Sequence, residues 1–396
     1  MPIRRRSLTL GLPLAAALGS MTRHARGADT SPIIIGYPAA LTGPSSAPGV
    51  GQNRGVTYIV EQINAGGGVQ GRRIEMIIRD TQGDPTKAVN AVQEMMANYK
   101  VHAIFGPNNS GEALATTPII ARRGIPNMHC CGITSLIDEK KFPNAFRQTP
   151  NNNQSSDPPR VYCQKVLKVN KVAVIGDSTG YGTSAVNDSV ENFEKNGGEV
   201  VYRGQIDATQ PDMVPDMLRM QQAGAQAIIP WTVSTGMIAR MLNARGSMGW
   251  DVPFVGHQAM GSGEVGHLLQ KPEYWKNVFN MGFKNCSFGP DGKLPPRTQA
   301  FVDEAKGRIS LENTSLWWIV SAVDAIQLIA KAVEVSGASS PEAIIGYWNT
   351  LNNYPGLFAD YTFSPTQHNG FPTDELVMSV ANSEHDGAYA LAPGYV

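Results

Sequence analysis

Short apolar runs without alternation recur along the chain, and each breaks into a loop of small and polar residues. Ile33-Ile-Ile-Gly-Tyr37 runs into Leu41-Thr-Gly-Pro-Ser-Ser46, and Ala103-Ile-Phe105 into Gly106-Pro-Asn-Asn-Ser-Gly111. Val172-Ala-Val-Ile175 leads into Gly176-Asp-Ser-Thr-Gly-Tyr-Gly182, and Ala227-Ile-Ile229 into Pro230-Trp-Thr-Val-Ser-Thr-Gly236. Phe254-Val255 leads into Gly256-His-Gln-Ala-Met-Gly-Ser-Gly263. Apolar runs of this kind suit strands buried on both faces. Several feed segments with helical spacing: Val56 to Ile63, Met213 to Ala223, and Ala322 to Val335. Strands alternating with helices predict an α/β fold whose parallel sheets are covered on both faces. Ligands of such sheets bind beyond the carboxyl ends of the strands, so the five loops are candidates for one binding surface. They fall in two groups, before and after residue 150. Phe146-Arg-Gln-Thr-Pro-Asn-Asn-Asn-Gln154 lies between them and reads as a crossing segment. Two sheets facing each other across a cleft is the economical architecture, and 396 residues suit two domains.

The first residues have a different character. Arg4-Arg5-Arg6, the apolar run Leu8 to Leu18 and Ala25-Arg26-Gly27 form an export signal over residues 1–27, too short in its apolar part to span a membrane. Arg5-Arg6-Ser7-Leu8 leaves Sec and twin-arginine export both open. Without that segment's five arginines, 28 basic residues face 33 acidic ones. No basic stripe is present for nucleic acid. No other stretch is expected to be long and apolar enough to span a membrane, so the mature chain is expected to be soluble.

Candidate chemistry changes this picture little. Gly176-Asp-Ser-Thr-Gly180 spells G-x-S-x-G after a strand, the form of a hydrolase nucleophile elbow around Ser178. An elbow needs the helix to begin at the nucleophile, whereas the helical pattern here resumes around Ser184. His257, His267, His368 and His385 follow, none in a distinctive setting. Gly49-Val-Gly-Gln-Asn-Arg-Gly55 looks like a dinucleotide fingerprint but starts too far after its strand. Gly66-Gly-Gly68 reads as a helix stop. Cys130, Cys131, Cys163 and Cys286 show neither C-x-x-C nor metal spacing. A Cys163–Cys286 disulfide is open, with buried free thiols preferred. Trp317-Trp318 precedes a helix at Ile319, where at least one ring is expected in the core. No metal or cofactor is expected.

These features, in this order, resemble the leucine/isoleucine/valine-binding protein family. The resemblance rests on Ile35-Gly-Tyr-Pro-Ala-Ala-Leu-Thr-Gly-Pro44, Glu61-Gln-Ile-Asn-Ala-Gly-Gly-Gly-Val-Gln-Gly71, and Ile74 to Arg79 with Asp80 to Pro85. Phe105-Gly-Pro-Asn-Asn-Ser110, Gly176 to Gly182 and Val323-Asp-Ala-Ile326 complete it, and together they cover nearly all of the mature chain. The resemblance implies the type I periplasmic-binding fold: two Rossmann-like lobes with parallel sheets, joined by a three-segment hinge. The N-terminal lobe would take residues 32–150 plus 284–352, and the C-terminal lobe 151–283 plus 353–396. It implies a periplasmic receptor of an ABC importer, a monomer that closes on a small ligand and docks on a permease in the inner membrane. It does not imply an enzyme.

Carried over by position, a ligand carboxylate would meet Asn109, Ser110 and Cys130-Cys131-Gly132. Tyr181 and Ser234 would approach from the second lobe with Trp231 nearby, and Trp318, or Trp317 one residue away, would stand at the hinge wall. Gln258 stands where members that bind amino acids place an acid for the α-ammonium. Pro48 replaces an aromatic in the first loop, and Cys131-Gly132 replaces a small-Thr pair. A buried ammonium needs a charged partner. The expected ligand is therefore an organic carboxylate, aromatic before aliphatic, with a hydrophobic amino acid next; Asp177 and Glu264 are the acids that could serve an ammonium. A ligand sensor of the same fold is the alternative function.

Overall fold

The computed structural model describes residues 29–394; the export signal read at 1–27 lies outside them. Two sheets carry the chain. The first holds β1 (Ile33–Ala39), β2 (Ile74–Asp80), β3 (Ala103–Phe105), β4 (Asn127–His129) and β5 (Ala145–Arg147) in the order β2-β1-β3-β4-β5. All its pairings are parallel, and β1 runs in register with β2 from Ile33 against Ile74 to Ala39 against Asp80. The second holds β6 (Lys171–Asp177), β7 (Glu199–Ile206), β8 (Ala227–Trp231), β9 (Phe254–Gly256) and β10 (Val278–Phe283), ordered β7-β6-β8-β9-β10. The strand Leu376–Val380 closes its edge antiparallel to β10. Both sheets thus repeat one topology, first strand inside and second at the edge.

Helices cover the faces: α1 (Ser46–Ala65), α2 (Pro85–Glu94) and α3 (Ser110–Arg122) beside the first sheet, then α4 (Asn152–Val161), α5 (Gly180–Lys195), α6 (Val214–Gln222), α7 (Thr235–Ser247) and α8 (Gly263–Leu268). Three more follow, α9 (Pro296–Ala305), α10 (Leu316–Ser336) and α11 (Pro341–Trp348). Local signals start several of them. Asp84 accepts from the Thr86 and Lys87 amides with Pro85 at the first position of α2, the pairing that satisfies orphan donors. Asn151 and Gln154 form a reciprocal capping box on α4. The crossing read over 146–154 is therefore shorter, because Asn152 already begins a helix.

Some boundaries move. α1 starts ten residues before the expected Val56, at Ser46, so the glycines of 49–55 lie inside a helix. A Cβ on Gly55 would fall 2.2 Å from the Ile319 carbonyl oxygen, and one on Gly51 2.9 Å from the Trp318 Cβ. Those glycines let α1 seat directly on α10, which explains the fingerprint-like spacing. α10 includes both tryptophans in its first turn, one turn earlier than the expected start. An 18-residue stretch of this 21-residue helix has a mean hydropathy of 1.5, enough for a membrane span by length and composition, contrary to expectation, yet 89% of that stretch is buried between other elements. It is a core helix in this fold. The four cysteines are free thiols, Cys163 and Cys286 among them.

The chain after Leu351 packs on the first sheet's side. Asp324 of α10 accepts from the Leu357 and Phe358 amides at 2.8 Å each and the Tyr361 hydroxyl at 2.6 Å. Phe363 and His368 lie against Phe146, the latter stacked with ring centroids 3.7 Å apart. Residues 353–371, assigned by the resemblance to the second lobe, thus touch the first sheet at Phe146, while Phe358 and Phe371 also lie against Phe283 at the end of β10, and from Leu376 the chain pairs with the second sheet.

Candidate functional site

The carboxyl ends of the strands converge on one partly open pocket, the place where ligands of open α/β sheets bind. Asn108, Asn109 and Ser110 follow β3, Cys130 to Gly132 follow β4, and Thr149 and Pro150 follow β5. From the second sheet come Tyr181 after β6, Val233 after β8, and His257 and Gln258 after β9. Pro48 and Gln52 of α1, Asn152 and Ser155 of α4, and Trp317 and Trp318 of α10 complete the wall. Strand-end loops gather here because parallel strands present all their carboxyl ends at one edge, where helix N-termini also begin.

Of the residues carried over by resemblance, Asn109, Ser110, Cys130, Cys131, Gly132, Tyr181, Gln258 and Trp318 line this pocket. Trp231 and Ser234 do not. Trp231 is the last residue of β8, 1% exposed, with its ring behind His257 at a centroid distance of 6.3 Å. Ser234 caps α7 by accepting from the Met237 amide. Val233 between them takes the wall position. Sequence reasoning passed over His257, Gln52, Asn108, Asn152 and Thr149. His257 was findable as the first residue after β9; the others show only in three dimensions.

Two helices meet head to head here. Asn109 accepts from the Gly111 amide at the start of α3, and Thr179 from the Gly182 amide at the start of α5. A Cβ on Gly180 would lie 3.1 Å from the Gly111 Cα, so the two N-termini touch through glycines. Each N-terminus carries partial positive charge and favours an anion. Across the same gap the Asn152 amide donates to the Gly132 carbonyl at 2.8 Å.

Among the described residues, no Asp, Glu, Lys or Arg side chain lines the pocket. Several lining groups are unpartnered: Nε1 of Trp317 and of Trp318 and Nδ2 of Asn108 lack acceptors, the Thr149 hydroxyl lacks a partner, and Oε1 of Gln258 lacks a donor. Buried polar atoms without partners each cost about 1–3 kcal/mol, a cost a ligand can offset. His257 accepts from the Ala259 amide at Nδ1, so its neutral ring carries the proton on Nε2. Burial depresses it to about 3, so it stays uncharged. Gln52 donates to the Cys130 sulfur at 2.8 Å, and burial pushes that thiol up to about 11.

The acids considered for an ammonium are elsewhere. Asp177 is buried outside the lining and accepts from the Thr232 hydroxyl at 2.7 Å and from Thr179. Glu264 and Ser234 line a separate surface depression with Arg240. Ser178 is exposed and outside the pocket. α5 begins at Gly180, capped by Thr179, earlier than the expected Ser184, so the argument from helix start fails; the position of Ser178 carries the reading instead. Ser178→Ala is expected to change ligand affinity by less than about 1 kcal/mol and esterase activity to be undetectable before and after; stoichiometric labelling of Ser178 by a phosphonate would contradict this.

A sequence model of the family described as periplasmic binding protein matches residues 32–386. An amino acid binding protein of Pseudomonas aeruginosa is 25% identical over 336 residues, covering 84% of this chain and 85% of its own. A branched-chain amino acid transporter substrate binding protein from Streptococcus pneumoniae, solved with isoleucine, superposes with a TM-score of 0.76 at 22% identity, over 90% of this chain and 97% of its own. A solute binding protein of an ABC transporter from Rhodopseudomonas palustris, solved with 4-hydroxybenzoate, gives 0.76 at 20% identity, over 91% and 95%. At these identities the structural likenesses establish the fold.

Proposed function

The chain belongs to the periplasmic binding protein family, and from that premise we propose that it is the exported receptor of an ABC importer for an aromatic carboxylate. The observation that carries this reading is the pocket's make-up: unpartnered polar groups that are mostly donors, aromatic rings on several sides, and no ionised side chain in the lining. A carboxylate would be held at Ser110, the first amides of α3 and Gly132. The ring would lie among Trp317, Trp318, Tyr181 and His257, each aromatic contact adding about 0.5–1.5 kcal/mol. Gln258 offers an uncharged amide to the far end, suited to a phenolic hydroxyl. Two lobes, split near residues 150, 284 and 372, would close on the ligand and present the closed form to a permease.

The second reading, a branched-chain amino acid, is favoured by the names of the Pseudomonas and Streptococcus relatives. It leaves the ammonium buried without a carboxylate, which costs several kcal/mol. Calorimetry on ligand-stripped protein with leucine, valine, benzoate and 4-hydroxybenzoate separates the two. The aromatic acids are expected to bind in the micromolar range or tighter, about −8 kcal/mol, and 4-hydroxybenzoate ahead of benzoate. Leucine binding tighter than either acid would sink the proposal.

A further inference from the structure

We propose that Arg147, which does not line the pocket, is the residue that makes the pocket select an anion, acting through the Cys131–Gly132 peptide. The inference deepens the carboxylate reading and rests on it. Arg147 ends β5 and is 1% exposed. Its Nη1 donates to the carbonyls of Cys131 at 2.7 Å and Ile133 at 2.8 Å, and its Nε to Oδ1 of Asn369 at 2.6 Å. None of these acceptors is a carboxylate, and no ion pair among the described residues includes Arg147. A guanidinium held in the interior without a counter-charge is costly, and its charge persists, since burial lowers it only to about 10.

Peptide geometry relays that charge. In a trans peptide the C=O and N–H point in opposite directions. A guanidinium gripping the Cys131 carbonyl therefore turns the Gly132 N–H away from itself, and Gly132 is the neighbour that lines the pocket. Among the described residues the Gly132 N–H finds no backbone acceptor, whereas the Cys131 N–H is taken by Nδ1 of His129. The other titratable groups around this loop supply no competing cation. His129 is held neutral, near 3, by burial and by Arg147 itself. Glu112, in the first turn of α3, is buried with its carboxyl pushed up to about 7 by burial. The Cys131 thiol is pushed up, first by burial and then by the neighbouring Cys130 and Glu112. Through Asn369 the same side chain also ties the pocket loop to the segment that returns to the second sheet, so it is a positioning residue placed at the crossing.

The test compares each acid with its uncharged amide: 4-hydroxybenzoate against 4-hydroxybenzamide, and leucine against leucinamide, by calorimetry on the mature wild type, Arg147→Gln and Arg147→Lys. For the pair whose acid binds the wild type, Arg147→Gln is expected to weaken the acid about ten- to hundredfold and the amide less than about threefold, with Arg147→Lys keeping most of the acid's preference. Equal losses for acid and amide would mean that Arg147 only holds the loop, and would overturn the proposal. If the glutamine variant does not fold, the lysine variant decides: collapse of the acid-over-amide ratio with a charge still present is the refuting result. Leucine binding in place of hydroxybenzoate would refute the aromatic reading while still testing Arg147; a wild type that binds neither acid refutes both.

Discussion

Gln258→Glu is expected to weaken binding of an aromatic acid severely and to admit an amino acid. Gln258 is 5% exposed, and its side-chain oxygen has no donor. Among the described residues, no lysine or arginine lines the pocket to neutralise a carboxylate placed there. Closing the site on an anionic ligand would then bury two like charges, the added one unpaired, a situation that costs about 3–5 kcal/mol. The affinity for 4-hydroxybenzoate should fall by roughly 150-fold or more, 1.4 kcal/mol being tenfold. The loss should shrink at acidic pH, because burial and the ligand's charge both raise the pKa of the new glutamate, which becomes neutral below it. Leucine affinity should move the other way, since its ammonium gains the partner it lacks. Calorimetry with both ligands across pH reads all three effects; an unchanged hydroxybenzoate affinity would remove Gln258 from the site.

The second large effect concerns closure and touches no lining residue. Gly180→Val places a branched side chain where α5 meets α3. Its Cβ alone would stand 3.1 Å from the Gly111 Cα and 3.5 Å from a Leu114 methyl, and the γ-methyls add bulk to that contact. Overfilling a packed contact costs about 1–3 kcal/mol, and here that cost falls on the form in which the two helix starts touch. Ligand affinity is therefore expected to drop by about five- to hundredfold, with small-angle scattering showing a more open particle at saturating ligand. Residue 180 is the first of its helix, so unfolding temperature should hardly move. Equal compaction of variant and wild type on ligand addition would show that the glycine contact does not govern closure.

Much of this site could be read from local pattern. Unalternating apolar runs such as Ile33 to Tyr37 and Val172 to Ile175 mark strands buried on both faces, and a parallel sheet puts every following loop at one edge. The loops that hold Ser110, Tyr181 and Gln258 were therefore accessible from the residues that precede them, whereas Cys130 came only from the family resemblance. Where the reading slipped, a local signal had a non-local cause. Gly49 to Gly55 looks like a phosphate loop because close helix packing and close phosphate approach both demand the missing Cβ. Val233 rather than Ser234 faces the ligand space because Ser234 turned its hydroxyl to the Met237 amide.

The sequence by itself determined the alternation of strands and helices, the strand-end loops and the absence of an acid at residue 258, since each is a property of neighbours within a few positions. Only the tertiary structure decided that Phe363 and His368 lie against Phe146 of the first sheet and that Trp317 joins Trp318 in the wall. It alone decided that Gly111 abuts Gly180, and that Arg147 grips a carbonyl sixteen residues away and an asparagine 222 residues away. Such contacts follow from how two sheets and their helices pack, and no spacing along the chain records which distant carbonyl a buried guanidinium will reach.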